Sequence, residues 1–197
     1  MSWPLGLTAI RLVLGPVMLW YCYQARASAP WLVAGLYFAV ASDIFDGILA
    51  RRLGVATPGL RRFDSQADLV FWLCILGSVW LVNPKLVIRN AIYIGLVLIL
   101  EAATYALSFT KFGREPSTHS YLAKAWGLVL LGAFTAILGF GEARYAIPIL
   151  FVAYLISFVD IVAILLLLPR WQTDVPSAYH AWLIRRNIPF RRHGLFH

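Results

Sequence analysis

The sequence has few charged residues and few cysteines. Charged residues make up only 13% of the chain, and nine residues in all are acidic. Its two cysteines, Cys22 and Cys74, lie in different apolar segments without partners at zinc-ligand spacing, which argues against a disulfide framework and a zinc site. Hydrophobic residues make up 61% of the chain, which excludes an ordinary soluble domain.

Long apolar segments are abundant, and they predict an all-α integral membrane protein. They lie near residues 6–24, 30–50, 66–83, 86–109, 122–141 and 145–168. A helix of about 20 apolar residues crosses a bilayer. We expect the first segment to be retained rather than cleaved, because Arg11 lies early in a long apolar stretch and no small-residue cleavage site follows. The sequence predicts one domain over 1–197: a bundle of six transmembrane helices with a short amphipathic or extended tail at 169–197.

Basic residues predict the orientation of these spans. With six spans, both termini and the loops after the second and fourth spans lie on one side, and most lysines and arginines fall there. The opposite side has Arg26, Lys85, Arg89 and Arg144. The positive-inside rule therefore predicts cytoplasmic termini, with a bacterial inner membrane as the expected location. A net charge of +8 dispersed in this way suits anionic lipid headgroups better than nucleic acid.

Four of the nine acidic residues fall between positions 43 and 68, in a stretch flanked by apolar segments. Asp43 and Asp46 are three residues apart, and Asp64 and Asp68 are four apart. Each pair therefore shares one helix face. An ionised carboxylate in an apolar setting costs several kcal/mol unless a cation compensates it. Solvated loop charges are the alternative, but two helices with such pairs can surround one or two hard divalent ions.

Residues beside the aspartates fit a phosphate-bearing ligand. Gly47 and Ala50 lie on the same face as Asp43 and leave it without bulk, so a flat ring or a sugar can approach the helix backbone there. Arg51 adds a planar cation suited to phosphate oxygens. The stretch therefore predicts phosphate chemistry at a membrane.

This order of residues resembles the signature of the CDP-alcohol phosphatidyltransferase family: Asp-x-x-Asp-Gly-x-x-Ala-Arg, a spacer, then Gly-x-x-x-Asp-x-x-x-Asp. All four aspartates have the family spacing, whereas Leu60 stands at the second glycine position and Gly59 comes one residue early. A pattern with so many fixed positions is far more specific than a lone glycine fingerprint. The first span resembles the family at Pro4, Leu7, Thr8, Arg11 and Pro16. Loosely, the resemblance covers residues 4–168.

The resemblance implies a phospholipid-synthesising transferase. Such an enzyme moves a phosphatidyl group from a CDP-linked lipid such as CDP-diacylglycerol to an alcohol and releases CMP. Two divalent ions, Mg²⁺ or Mn²⁺, would be held by Asp43, Asp46, Asp64 and Asp68, and Asp68 would also be the catalytic base. The residues expected to bind the nucleotide or donor are Gly47, Ala50, Arg51 and Thr8. The resemblance also implies a homodimer.

Three basic residues suggest the acceptor. Lys124, Lys111 and Arg114 lie near the loop between the fourth and fifth spans and could bind a phosphate. That favours glycerol 3-phosphate or an inositol phosphate over inositol, choline or serine. The positive-inside rule explains these charges equally well. Glycerol 3-phosphate comes first because the opening helix most resembles that branch of the family.

Three charges inside the apolar segments have open interpretations. Arg11 fits either a phosphate contact or a residue that snorkels to the interface. For Glu101 and Asp160, helix-to-helix pairing or cavity lining is favoured over metal ligation. Intramembrane carboxylates also mark transporters and channels, but the two halves of the sequence share no inverted-repeat pattern.

Overall fold

The protein is described by a computed structural model that covers residues 3–25, 28–53, 57–118, 120–141 and 144–189. Within these ranges the chain is helical, without strands. The helices are α1 (Trp3–Tyr23), α2 (Ala29–Arg52), α3 (Pro58–Val82), α4 (Pro84–Arg89), α5 (Ala91–Phe112), α6 (Tyr121–Phe140), α7 (Ala146–Leu167) and α8 (Ala178–Arg185). The predicted all-α fold is confirmed.

Six of the described helices are long and apolar enough to cross a membrane, as predicted. These segments are Leu5–Tyr23, Ala29–Ala50, Phe63–Val82, Ala91–Phe112, Tyr121–Phe140 and Ala146–Leu167. The chain is therefore a multi-pass membrane protein. The fourth predicted span was placed too early, at 86, because a short helix, α4, precedes Asn90 and the long helix α5 begins after it.

Helix α3 begins earlier than the third predicted span. Pro58 occupies its first turn, where a missing backbone N–H costs nothing, and Thr57 is the N-cap. The Thr57 side chain accepts a hydrogen bond from the backbone N–H of Leu60 at 3.2 Å. The helix therefore starts regularly with Leu60 at the position where the family signature has glycine.

The chain divides into two compact units. The first comprises Met1–Arg89 and Phe134–Ala143, and the second comprises Asn90–Ala133 and Arg144–His197. Helix α6 contributes to both. The single domain over 1–197 stays a prediction.

In the first unit, small residues let α1 approach α2 and α3 closely. A Cβ atom added at Gly15 would lie 3.0 Å from the Cα of Phe71, and one added at Gly35 would lie 2.7 Å from the Sδ of Met18. Met18 and Phe71 are themselves buried. Close backbone approach through small residues is a common way for membrane helices to pack. It brings the polar residues of α1 against those of α2 and α3.

In the second unit, the tail is anchored to the end of α7. Ile164, Leu168, Val175 and Ala181 form a buried apolar cluster. Helix α8 is amphipathic, since Ala181 is buried whereas Tyr179 is exposed. The predicted short amphipathic helix in the tail is thus present. Residues 190–197 of the predicted tail lie outside the described part of the structure.

The loop after α5 is joined to the tail by side chains. Gly113 ends α5 in the left-handed conformation, at φ 66°. The indole N–H of Trp171 donates to the carbonyl of Glu115 at 2.9 Å. The Arg114 guanidinium lies 4.9 Å from the centre of the Trp171 ring.

Candidate active site

Arg11 of α1 lies among the four aspartates of the motif. Its side chain is 1% exposed. Nη1 donates to Asp43 Oδ1 and to Asp68 Oδ1, both at 2.5 Å. Nη2 donates to Asp46 Oδ2 at 3.0 Å and also to Asp64 Oδ1. A single guanidinium thus bridges α1, α2 and α3.

Three of the aspartates are arranged as metal ligands. Asp43, Asp64 and Asp68 each offer a carboxylate oxygen, and these oxygens all lie within 4.8 Å of one another. Oxygen ligands of one Mg²⁺ or Ca²⁺ ion lie 2.0–2.6 Å from it, so they are at most about 5 Å apart. The three carboxylates therefore fit a hard divalent cation. The predicted helical spacing brings them together from two helices.

Asp46 is more deeply buried than the other three. Its side chain is 4% exposed, against 42% for Asp43, 28% for Asp64 and 36% for Asp68. Its Oδ2 accepts a hydrogen bond from Thr8 Oγ1 at 3.1 Å, and Thr8 is buried too. Asp46 is thus fixed by α1, while the other three carboxylates remain accessible.

The cluster has an excess of negative charge. The ion pairs that the structure describes put one guanidinium against four carboxylates. Partly buried carboxylates repel one another more strongly than in water, because the surrounding dielectric constant is lower. A divalent cation at this site would relieve that repulsion.

The predicted donor-binding residues lie around this cluster. Gly47 is half-buried and Ala50 is buried, both on α2 after Asp43. Thr8 contacts Asp46. The backbone of Arg51 belongs to α2, but its side chain lies outside the described part of the structure. Their role in donor binding stays a prediction.

The three predicted acceptor residues lie in the second unit. Lys111 Nζ donates to the carbonyls of Leu165 and Leu166 at 2.7 and 2.8 Å, and so it binds the C-terminal end of α7. Arg114 packs on Trp171. Lys124 is exposed in the first turn of α6. Acceptor binding by these residues stays a prediction.

The other intramembrane carboxylates contact neighbouring helices, as the sequence interpretation favoured. The Tyr154 hydroxyl on α7 donates to Glu101 Oε2 on α5 at 3.1 Å. The backbone N–H of Ala178, at the start of α8, donates to Asp160 Oδ1 at 2.9 Å. Asp160 therefore anchors the tail helix.

Sequence reasoning missed the central position of Arg11, for which it considered a phosphate contact or an interface residue. The signal was present in the first span. Thr8 and Arg11 are three residues apart, so they lie on one face of an otherwise apolar helix and need polar partners there. The aspartates of α2 and α3 provide those partners.

Fold and site together define a multi-pass membrane protein with a carboxylate cluster suited to metal-assisted phosphate chemistry. The family model for CDP-alcohol phosphatidyltransferase matches residues 1–165. The chain therefore belongs to the CDP-alcohol phosphatidyltransferase family, as the motif predicted. No curated protein and no solved structure matched the chain.

Family membership gives the protein its general activity. It is a transferase of phospholipid biosynthesis that moves a phosphatidyl group from a CDP-linked lipid to an alcohol. The family uses divalent metal, and the aspartate cluster could bind it. Membership also favours an enzyme over the transporter or channel considered from the sequence.

Proposed function

We propose that the protein transfers the phosphatidyl group of CDP-diacylglycerol to a polyol phosphate, with glycerol 3-phosphate as the first candidate, and releases CMP. The observation that supports this proposal most directly is the group of carboxylate oxygens of Asp43, Asp64 and Asp68, which lie within 4.8 Å of one another. They come from two helices at the spacing of the family signature. With Asp46, they would hold two ions, Mg²⁺ or Mn²⁺.

Each aspartate has a distinct task in this mechanism. When bound, the two ions neutralise the charge that develops on the pyrophosphate as CMP leaves. Asp43 and Asp64 would hold the ions to which the donor's phosphates bind, since a carboxylate does not bind a phosphate directly. Asp46, held by Thr8, keeps the α2 side of the site in place.

Asp68 is the proposed general base. Its side chain is 36% exposed, so an acceptor hydroxyl can reach it, and the family resemblance implies this role for the last aspartate of the signature. The acceptor oxygen attacks the lipid-side phosphorus while its proton passes to Asp68. The bond from that phosphorus to the oxygen of CMP breaks, and the phosphodiester product stays in the membrane.

The donor's nucleotide would lie along the end of α2. Arg51 is proposed to bind its phosphates, and Gly47 and Ala50 to face the cytidine. Gly47 is half-buried and Ala50 is buried, so this face of α2 has no large side chain at either position. Thr8 would act on the donor through Asp46, which it contacts.

Among the three basic residues, Lys124 is the first candidate for the acceptor's phosphate. Lys124 is exposed at the first turn of α6. An inositol phosphate is the second phosphorylated candidate for the acceptor. If Lys124 does not bind phosphate, the candidate acceptors are inositol, serine or choline.

We also propose a homodimer with both termini and the active site on the cytoplasmic face of a bacterial inner membrane. The excess of lysine and arginine on one side supports the orientation. In an 18-residue window of the α5 span, 11% of the residues are buried within the chain, against 28% in each of the other five spans. Glu101 on α5 is exposed as well, although its Oε2 accepts a hydrogen bond from Tyr154, and a carboxylate within a membrane span is costly unless it is covered. A partner subunit over α5 would cover it.

The test is acceptor-dependent release of CMP. Purified protein in liposomes with CDP-diacylglycerol and Mg²⁺ is offered glycerol 3-phosphate, an inositol phosphate, inositol, serine and choline in parallel. We expect CMP and a new phospholipid with glycerol 3-phosphate, and release at least about a hundredfold slower by Asp68→Asn. If CMP is released with a different alcohol, that alcohol replaces glycerol 3-phosphate as the proposed acceptor. If no alcohol leads to CMP release, the proposed reaction is overturned.

A further inference from the structure

Arg11 uses both terminal nitrogens of its guanidinium on the aspartate cluster. Nη1 is shared by Asp43 Oδ1 and Asp68 Oδ1, and Nη2 is shared by Asp46 Oδ2 and Asp64 Oδ1. The side chain is 1% exposed, so water reaches these contacts only from the side of the carboxylates. Charge-assisted hydrogen bonds of this kind are about twice as strong as neutral ones.

These contacts use the same carboxylates that fit a divalent ion. Asp43, Asp64 and Asp68 form the group with oxygens within 4.8 Å of one another, and each also accepts from Arg11. Asp43 Oδ1 and Asp68 Oδ1 are both 2.5 Å from one nitrogen. A cation ligated by those two oxygens would have to share them with that nitrogen, and the two positive charges would repel.

We propose that Arg11 is a latch on the active site that competes with divalent ions for its carboxylates. Arg11 holds the aspartates of α2 and α3 together, and it gives up Asp43, Asp64 and Asp68 when an ion binds. Its contact with Asp46 persists, because Asp46 is 4% exposed and already fixed by Thr8. The inference rests on the proposed divalent site.

The latch has one consequence that a permanent support would not have. If Arg11 competes with the ion, removing its side chain strengthens ion binding and lowers the stability of the folded protein in the absence of ions. If Arg11 instead supports the metal site while the ion is bound, removing its side chain lowers both the ion affinity and the stability. The direction of the change in metal affinity separates the two cases.

The experiment measures Mn²⁺ binding by electron paramagnetic resonance and thermal unfolding of purified protein in detergent. The variant is Arg11→Met, which keeps an unbranched apolar chain without the charge. The matched control is Arg89→Met, an exposed arginine in the first unit away from the cluster. We expect Arg11→Met to bind Mn²⁺ at least tenfold more tightly than wild type, and Arg89→Met to bind it unchanged.

Thermal unfolding gives an independent readout. In EDTA, the midpoint for Arg11→Met should fall below that of Arg89→Met, because four carboxylates then lack a cation. Saturating Mn²⁺ should raise the midpoint of Arg11→Met more than that of wild type, since tighter binding stabilises the folded state more. Arg11→Lys covers the case in which Arg11→Met does not fold. Its point charge cannot bridge four carboxylates, so severalfold tighter Mn²⁺ binding is expected.

Equal or weaker Mn²⁺ binding by the Arg11 variants would overturn the latch, and so would failure of the wild type to bind Mn²⁺. The CMP-release assay reports separately on the proposed function. Tighter Mn²⁺ binding by Arg11→Met together with no CMP release from wild type would retain the latch and reject the reaction. Mn²⁺-dependent CMP release from wild type without tighter binding by the variants would retain the reaction and reject the latch.

Discussion

Thr8 Oγ1 donates a hydrogen bond to Asp46 Oδ2 at 3.1 Å, and both side chains are buried. The bond joins α1 to the signature helix α2 across 38 residues of sequence. It makes the first helix part of the active site, although the aspartates of the signature all lie on α2 and α3. Variants of α1 should therefore affect metal binding and turnover as well as packing.

Turnover should depend absolutely on a divalent ion. Four carboxylates against one guanidinium leave the donor's pyrophosphate facing negative charge, which only a bound cation reverses. Excess EDTA should abolish CMP release, and added Mg²⁺ or Mn²⁺ should restore it. Undiminished CMP release in EDTA would rule out the two-metal mechanism.

Asparagine substitutions should separate the ligands from the base. Asp43→Asn and Asp64→Asn keep the side-chain shape but lose charge, so both Mn²⁺ binding and CMP release should weaken. Asp68→Asn should keep donor affinity better while turnover falls at least about a hundredfold, a usual general-base contribution. Donor KM and kcat measured for each variant provide the comparison. Equal loss of donor affinity in all three would make Asp68 a ligand without a base role.

Removing the Thr8 hydroxyl should impair the site from the first helix. Thr8→Val keeps the side-chain shape but leaves Asp46 without one donor, so we expect a loss of stability of about 1 kcal/mol and weaker Mn²⁺ binding. Thr8→Ser should restore both. The matched control is Thr104→Val, a buried threonine whose hydroxyl donates to the carbonyl of Leu100 at 3.0 Å. If both valine variants bind Mn²⁺ like wild type, Thr8 has only a packing role.

Lys124→Ala should affect the acceptor selectively. A charge-assisted hydrogen bond to an acceptor phosphate is worth about 1.5–3 kcal/mol, so the acceptor's apparent KM should rise roughly ten- to a hundredfold. The KM for the CDP-linked lipid should stay nearly constant. Lys111→Ala and Arg114→Ala change neighbouring basic residues and should raise the acceptor's apparent KM by a smaller factor. Wild-type acceptor kinetics in all three would favour an uncharged or zwitterionic alcohol.

Lys111→Met should lower stability. Its ammonium group binds two carbonyls at the end of α7, and a cation near a helix C-terminus stabilises it by about 0.3–1 kcal/mol. The thermal midpoint should fall, with little change in the KM for the CDP-linked lipid. Lys85→Met, an exposed lysine on α4, is the control. An unchanged midpoint for Lys111→Met would show that these contacts do not stabilise the end of α7.

The sequence alone predicted what depends on local spacing. Apolar length gave six spans, and the helical period placed Asp43 with Asp46 and Asp64 with Asp68. The break between α4 and α5 was missed, because the apolar residues 86–88 of α4 come just before Arg89 and Asn90 and resemble the start of the span. Membrane spans can be recognised locally since each must satisfy its own backbone hydrogen bonds inside the bilayer.

The tertiary structure decided what depends on distant partners. Arg11 contacts carboxylates 32 to 57 residues away, and Lys111 contacts carbonyls 54 and 55 residues away. From the sequence, Arg11 fitted two other roles, and Lys111 fitted an acceptor site. A buried charge must find a partner of opposite sign, but the sequence does not say which one, because the choice depends on which helix faces pack together.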